Sequence, residues 1–312
     1  MSDKTILEIN LNEEYKIKIE NGNEFNQSIF KDVYNDALKN IVEIINQYDP
    51  NKSTDYDDFN NIIAFTGERG KGKSSSMISF RDAIIDKENS KLHFDFFKNE
   101  ETLKSKNFST IDIVDPSLFR GGESLFEIIL AKMFHHFQTR IRQNDSKITD
   151  DDRRLIISQF QRVFENLQII NSDRKDLYKK ESIEALSKLA TSSNLRESFK
   201  KLVSIYLEKF EKEKHFLIIA IDDFDLNISS AYDMLEDIRQ FLIQSNIILL
   251  IACKIEQLRQ LILLNYFIEY EALLKYKSTE ISETDLINKT EKYLEKLIPL
   301  SRRLELPNLK LF

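Results

Sequence analysis

The chain has 312 residues, 41% of them hydrophobic and 31% charged, with a formal net charge of −7. That is enough apolar material to bury one large core or two small ones, while the acid excess argues against a coat spread over nucleic acid and leaves only a local basic patch for such a role. Cys253 is the one cysteine, which excludes an internal disulfide and a thiolate metal site. No apolar run approaches the roughly 18 residues of a membrane span, and Met1 to Asn10 lacks the basic and apolar stretches of a secretion signal, so no membrane association and a cytoplasmic location are expected.

In chain order, Tyr15, Ile17 and Ile19 alternate with polar residues and predict an early strand. Ile29, Val33, Leu38, Ile41, Val42 and Ile45 then recur at helical spacing. Asp49-Pro50-Asn51 and the polar stretch after it read as a loop. Residues 1–55 therefore form a strand-and-helix extension. Asn61 to Thr66 reads as the first core strand, and a helix is expected from about Ser74 to Asp86.

Between that strand and helix, Gly67-Glu68-Arg69-Gly70-Lys71-Gly72-Lys73-Ser74 fits the phosphate-binding pattern G-x-x-x-x-G-K-[ST] at every fixed position. Only six glycines occur in the whole chain, and Gly67, Gly70 and Gly72 fall within six positions of one another. The residue types follow from the chemistry. A loop that wraps a polyphosphate must turn tightly and aim several backbone N–H groups at one point, which side chains would obstruct. The helix behind it adds unpaired N–H groups and its positive dipole end. Lys73 is expected at the β- and γ-phosphates, the Ser74 hydroxyl on Mg²⁺ and Ser75 at the α-phosphate.

Ile111 to Val114, stopped by Asp115-Pro116, reads as a second strand. After Gly121-Gly122 the pattern is helical: Phe126, Ile129, Leu130 and Met133, then Ile156, Phe160, Val163, Phe164 and Leu167, then Leu195, Phe199, Leu202, Tyr206 and Phe210. Residues 122–214 are taken as a helical insertion. Its charged residues, among them Arg174-Lys175 and Lys179-Lys180-Glu181, are expected on a solvated face. His135-His136 has no acidic or cysteine partner at ligand spacing nearby and is expected on an ordinary helix surface.

Phe216 to Ile221 is continuously apolar and ends in Asp222-Asp223. A strand buried on both faces of a parallel sheet has this composition, and carboxylates at its carboxyl end emerge where ligands bind in such sheets. This is a Walker B pattern, in which Asp222 holds Mg²⁺ and Asp223 polarises the attacking water. Tyr232, Leu235, Ile238, Phe241 and Leu242 mark a helix, and Ile247 to Lys254 another buried strand. In the P-loop division that inserts a strand between loop strand and acid strand, the tip of this strand carries a sensor of the γ-phosphate. Cys253 and Lys254 fill it here, neither the usual Asn, Ser or Thr, with Lys254 a sensor candidate against the alternative of an exposed lysine. Thr284 to Ile298 is expected to be helical and Pro299 to Pro307 to hold the last strand. The expected fold is α/β, a three-layer P-loop NTPase with a mostly parallel five-stranded sheet, its core in 56–121 and 215–312.

These residues resemble the KAP and STAND-like ATPases, which lie near the AAA+ proteins and are frequent in bacterial antiphage defence, with a further resemblance to the ATPase subunits of RADAR systems. The resemblance rests on Phe65 to Ser74, Asp115-Pro116-Ser117-Leu118-Phe119, Ile221-Asp222-Asp223-Phe224-Asp225 and Tyr293-Leu294-Glu295-Lys296-Leu297-Ile298-Pro299. It departs where Leu226-Asn227 replaces the Arg-Cys that usually follows the KAP acid motif. It implies ATP and Mg²⁺ as ligands, ATP-driven assembly or switching, and either a homo-oligomer or a separate effector or sensor protein. No effector or repeat sensor follows Phe312, which reads as a truncated chain or a subunit that relies on such partners. Arg302 and Arg303 fall in the family's tail segment and are candidates for a phosphate-sensing or inter-subunit role, against a solvated strand edge. Two functions stay open: an ATP hydrolase, and a nucleotide-dependent scaffold with little turnover because Asp223 replaces a longer glutamate. A kinase is disfavoured, since nothing resembles an acceptor pocket.

Overall fold

The computed structural model describes residues 28–48, 60–85, 101–119, 124–143, 148–171, 194–227, 230–275 and 282–307. The early strand at Tyr15 to Ile19, the loop at Asp49 to Asn51, Gly121-Gly122 and the charged runs at 174–181 lie outside these residues. Helix α1 (Lys31–Gln47) buries Val33, Tyr34, Ala37, Leu38, Ile41, Ile44 and Ile45 along one face. Strand β1 (Ile62–Thr66) leads into α2 (Lys73–Ile85), and the short α3 (Glu101–Lys104) precedes β2 (Phe108–Thr110). The insertion supplies α4 (Leu125–Arg142), α5 (Asp150–Asn171) and α6 (Leu195–Ile205), the last running into a π-turn at Tyr206–Phe210. Then follow β3 (Phe216–Ile221), α7 (Ala231–Asp237) with its π-turn Ile238–Leu242, β4 (Ile247–Cys253), α8 (Ile255–Glu269), α9 (Glu271–Lys275), α10 (Glu283–Leu297) and β5 (Arg303–Glu305).

The five strands form one all-parallel sheet in the order β2-β3-β4-β1-β5. Every residue of β1, β3 and β4 is buried, as a parallel sheet covered by helices on both faces requires. Helix α2 packs along β1 to β4 and α1 against β5, while α7, α8 and α10 pack in succession and α4 joins α7. The architecture is therefore three-layered α/β, as the sequence predicts.

The second strand differs from expectation. Its ladder lies at Phe108–Thr110, opposite Phe216–Ile218, and not at Ile111 to Val114. Phe108 stacks on Phe216 with ring centroids 5.8 Å apart, and Thr110 Oγ1 donates to Ile218 O at 2.9 Å, taking the acceptor on which the ladder would continue. The chain then carries one extra residue before Val114 bridges to Ile221, a bulge that re-aims the backbone beyond it. Val114 N–H donates to Ala220 O at 2.9 Å and Asp222 N–H to Val114 O at 2.8 Å, so Asp115 emerges beside the acid pair.

The insertion shares one buried core with the sheet. The Phe126 ring of α4 lies 4.8 Å from Phe199 of α6 and 4.8 Å from Phe241 of the α7 turn. His135 is exposed as expected, but His136 turns inward and the surface reading fails for it. Its Nδ1 lies 3.3 Å from the Tyr206 hydroxyl and its Nε2 3.7 Å from Glu211, a carboxylate that Arg140 also pairs at 3.0 Å. Burial holds the His136 imidazole below its ordinary value. Among the described residues no helix is long and apolar enough to cross a membrane.

Helix α4 begins in a capping box, with Ser124 Oγ accepting from Glu127 N–H, and Asp237 of α7 also accepts from Phe126 N–H at 3.1 Å. Burial pushes the Asp237 carboxyl up to about 6, although these helix N–H groups pull the other way. A folded-state value above the unfolded one adds stability that is full below about pH 4 and is lost as pH rises through about 6. Asp237→Asn should remove that fall, on the order of 2 kcal/mol between pH 4 and 7, read by urea unfolding of both proteins across the range.

Candidate functional site

The site grows from three neighbouring strand ends. Parallel pairing sets Thr66 of β1 opposite Cys253 of β4, and Ile221 of β3 opposite Ile251 of β4. The glycine loop, Lys254 and Asp222-Asp223 therefore leave the same edge of the sheet, with Lys254 between the other two.

In the loop, Gly70 and Gly72 adopt φ of +81° and +85°, a left-handed backbone that favours glycine. A Cβ on Gly72 would stand 3.2 Å from the Phe30 ring, whereas Gly70 has nothing within 4 Å. Ser76 N–H makes the bond back to Gly72 O at 2.9 Å that opens the α2 ladder. The N–H groups of Lys73, Ser74 and Ser75 thus precede the ladder and point along the helix axis towards the loop, as anion binding at a helix start requires. Lys73 Nζ lies 3.3 Å from Glu68 O, Lys71 Nζ 3.6 Å from Glu305 Oε1, and Lys254 Nζ 2.6 Å from Glu68 Oε2. Gly67 is buried at the base of the loop, whereas Glu68, Arg69 and Gly70 are exposed at its tip.

At the end of β3, Asp223 N–H donates to Asp222 Oδ1 at 3.0 Å, and Asp223 itself sits at φ +47°. Phe224 N–H donates to Ala252 O at 3.2 Å and ties this turn to β4. Burial pushes the Asp223 carboxyl up, and the charges of Asp222, Asp115 and Asp225 add to the rise while Lys73 opposes it. Lys73 is therefore within electrostatic reach of Asp223. Ser74 and Asp222 offer oxygen donors only, the set Mg²⁺ takes, and so they fit that ion. Among the described residues no group of three or more His, Cys, Asp or Glu is arranged as a metal cage. A cation held by these two residues would draw its other ligands from phosphate oxygens and water.

The two arginines part company. Arg302 is 3% exposed, donates to Asn40 O at 2.9 Å and lies 3.3 Å from Glu43 Oε1, so it bolts α1 to the segment before β5. That corrects its candidacy as a phosphate-sensing group, because its guanidinium is committed to a backbone carbonyl and a carboxylate of α1. Arg303 is half-buried, donates from Nε to Ile298 O at 2.8 Å, and lines a cavity of 330 Å³ beside the loop with Thr66, Gly67, Glu68, Lys254 and Glu305. Burial holds its guanidinium below the ordinary value. Cys253 is fully buried, and burial pushes its thiol well up, which leaves the β4 tip to Lys254.

Three residues at the site were given no site role from the sequence, although Asp115 and Asp225 lie in segments quoted there. Asp115 ends a strand whose bulge no local pattern announces. Asp225 is only 5% exposed and its charge acts on Asp223 through space. Glu305 reaches Lys71 and accepts from Thr66 Oγ1 at 2.9 Å only because β5 pairs with β1.

Compared with known proteins, the chain matches no family model and no curated protein.

Gly70→Ala should cost about 1 kcal/mol of unfolding free energy from backbone strain alone, and Gly72→Ala about 2 kcal/mol, because the methyl also displaces the Phe30 ring. Arg302→Met should lose about 2 kcal/mol while nucleotide affinity stays level, which separates a bolt from a phosphate ligand in one pair of unfolding and binding titrations.

Proposed function

We propose that the chain is a Mg²⁺-dependent ATP-binding and ATP-hydrolysing P-loop ATPase, related to the KAP and STAND-like group, whose nucleotide cycle drives or switches assembly of a larger complex in antiphage defence. The observation that carries this reading is the strand order. β4 lies between β1 and β3, so a glycine loop with a lysine and a helix start faces paired carboxylates across one strand. The defence setting and the assembly role draw on the resemblance of the motif residues, and cytoplasmic location on the composition.

In this reading the N–H groups of Lys73, Ser74 and Ser75 and the α2 dipole bind the β-phosphate, and the Lys73 ammonium offsets charge on the β- and γ-phosphates. Ser74 and Asp222 hold Mg²⁺, which when bound neutralises the phosphate oxygens. Asp223 orients a water molecule on the γ-phosphorus and accepts its proton as the phosphorus–oxygen bond to the β-phosphate breaks. A carboxyl raised by burial and by three neighbouring acids is a stronger base for that step. Arg303, or an arginine from a second copy, is available to the transition-state charge.

The nucleotide-dependent scaffold draws on the short arm of Asp223, since a carboxylate set back by about 1 Å can cost about a hundredfold in rate. Lys73→Ala should weaken ATP binding at least about tenfold. Asp223→Asn should keep affinity and lower turnover by about a hundredfold. Wild-type turnover no faster than that of Asp223→Asn would hand the case to the scaffold. Size analysis with a non-hydrolysable ATP analogue should show a nucleotide-dependent shift, and an unchanged monomer would remove the assembly role.

A further inference from the structure

Glu68 sits where the charges of the loop meet. Its carboxylate pairs with Lys254 at 2.6 Å and its carbonyl accepts from Lys73 at 3.3 Å. Its carboxyl is held below the usual range, first by the Lys254 hydrogen bond, with Lys71 and Lys73 adding to the effect. The other carboxylate at the loop, Glu305, is tethered by Thr66 Oγ1. The Glu68 side chain is 61% exposed, against 34% for Lys254, so of the two partners Glu68 is the one free to swing into water. Lys254 stands at the tip of β4, the strand between those that carry the loop and the acid pair, and its ammonium lies at Glu68. A polyphosphate that starts on the loop N–H groups and extends towards Asp222 and Asp223 runs past this ammonium.

Resting on the nucleotide reading, we propose that Glu68 is a specificity-determining residue that competes with the terminal phosphate of a nucleoside triphosphate for Lys254. A diphosphate ends at the loop and Lys73 and leaves the Glu68–Lys254 pair in place. A triphosphate extends one phosphate further and offers Lys254 an acceptor of higher charge, which displaces Glu68. The exchange is cheap because both partners of the pair are already partly in water. Glu68 thereby makes Lys254 respond to the third phosphate and not to nucleotide in general. It also turns nucleotide state into a change at the surface, since the displaced carboxylate points away from the loop.

The test is calorimetric titration of the full chain, with Mg²⁺, by ADP and by a non-hydrolysable ATP analogue. Glu68→Gln keeps the shape and removes the competing charge, and should raise the ratio of triphosphate to diphosphate affinity about two- to fivefold. Lys254→Met should lower that ratio, and in its background Glu68→Gln should change the ratio no further. A ratio that Glu68→Gln leaves unchanged, or shifts equally with Lys254 absent, overturns the competition and leaves nucleotide binding standing. A wild-type chain that binds neither nucleotide, like the Lys73→Ala control, removes the nucleotide reading and this one together. Unfolding midpoints of the variants within error of wild type establish that the comparison is made on folded protein.

Discussion

The register between β1 and β4 is the constraint on which the rest depends. It is set at the far end of the sheet from the loop, where the Asn61 amide nitrogen lies within 2.9–3.2 Å of Leu242 O, Gln244 O and Ile247 O, and Leu249 N–H donates to Asn61 O at 2.9 Å. Asn61 is fully buried, so any slip would strand these groups without partners in an apolar layer. Counting up five residues on each strand brings Thr66 level with Cys253, which puts the loop and Lys254 side by side. One buried amide thus sets the spacing of groups five residues away.

Helix α1 supports the loop from outside the sheet. Phe30 stands under Gly72, Tyr34 stacks on Phe80 of α2 with ring centroids 6.3 Å apart, and Phe80 meets Phe65 of β1 at 5.9 Å. Arg302 then ties α1 to β5 through Asn40 and Glu43. Residues 28–48, the described part of that extension, are therefore the wall against which the loop turns. The insertion is bound in similarly, since Asp237 takes an N–H of α4 and the Phe126 ring joins α6 to the α7 turn. This backing sets the Phe30 ring against Gly72, where a left-handed backbone that glycine adopts freely leaves no room for a side chain.

The electrostatics of the edge are divided by strand. The segments that follow β2 and β3 carry Asp115, Asp222, Asp223 and Asp225, while the loop and the β4 tip carry Lys71, Lys73 and Lys254. The proposed magnesium triphosphate, anionic on one side and cation-bound on the other, would meet this separation with matching charge. Glu68 and Glu305 interrupt the pattern, each standing among lysines: Glu305 is held by Thr66 and Lys71, and Glu68 pairs with Lys254.

The loop, the acid pair, the three fully buried strands and the helical character of the insertion were legible in the sequence, because each is written in consecutive residues whose pattern matches a local geometry. Gly67 to Ser74 carries its own turn chemistry, and Phe216 to Ile221 and Ile247 to Cys253 carry the unbroken apolarity of strands covered on both faces. The placement of Asp115, the inward turn of His136, the parting of Arg302 from Arg303 and the pairing of Glu68 with Lys254 were decided by tertiary structure alone. Residues 68 and 254, or 40 and 302, are brought together by strand order and helix docking, and a side chain's role then follows from which buried carbonyl or charge it happens to face. Local sequence encodes the energy of a turn or a strand, whereas the energy of a contact between distant residues exists only once the chain has closed around it.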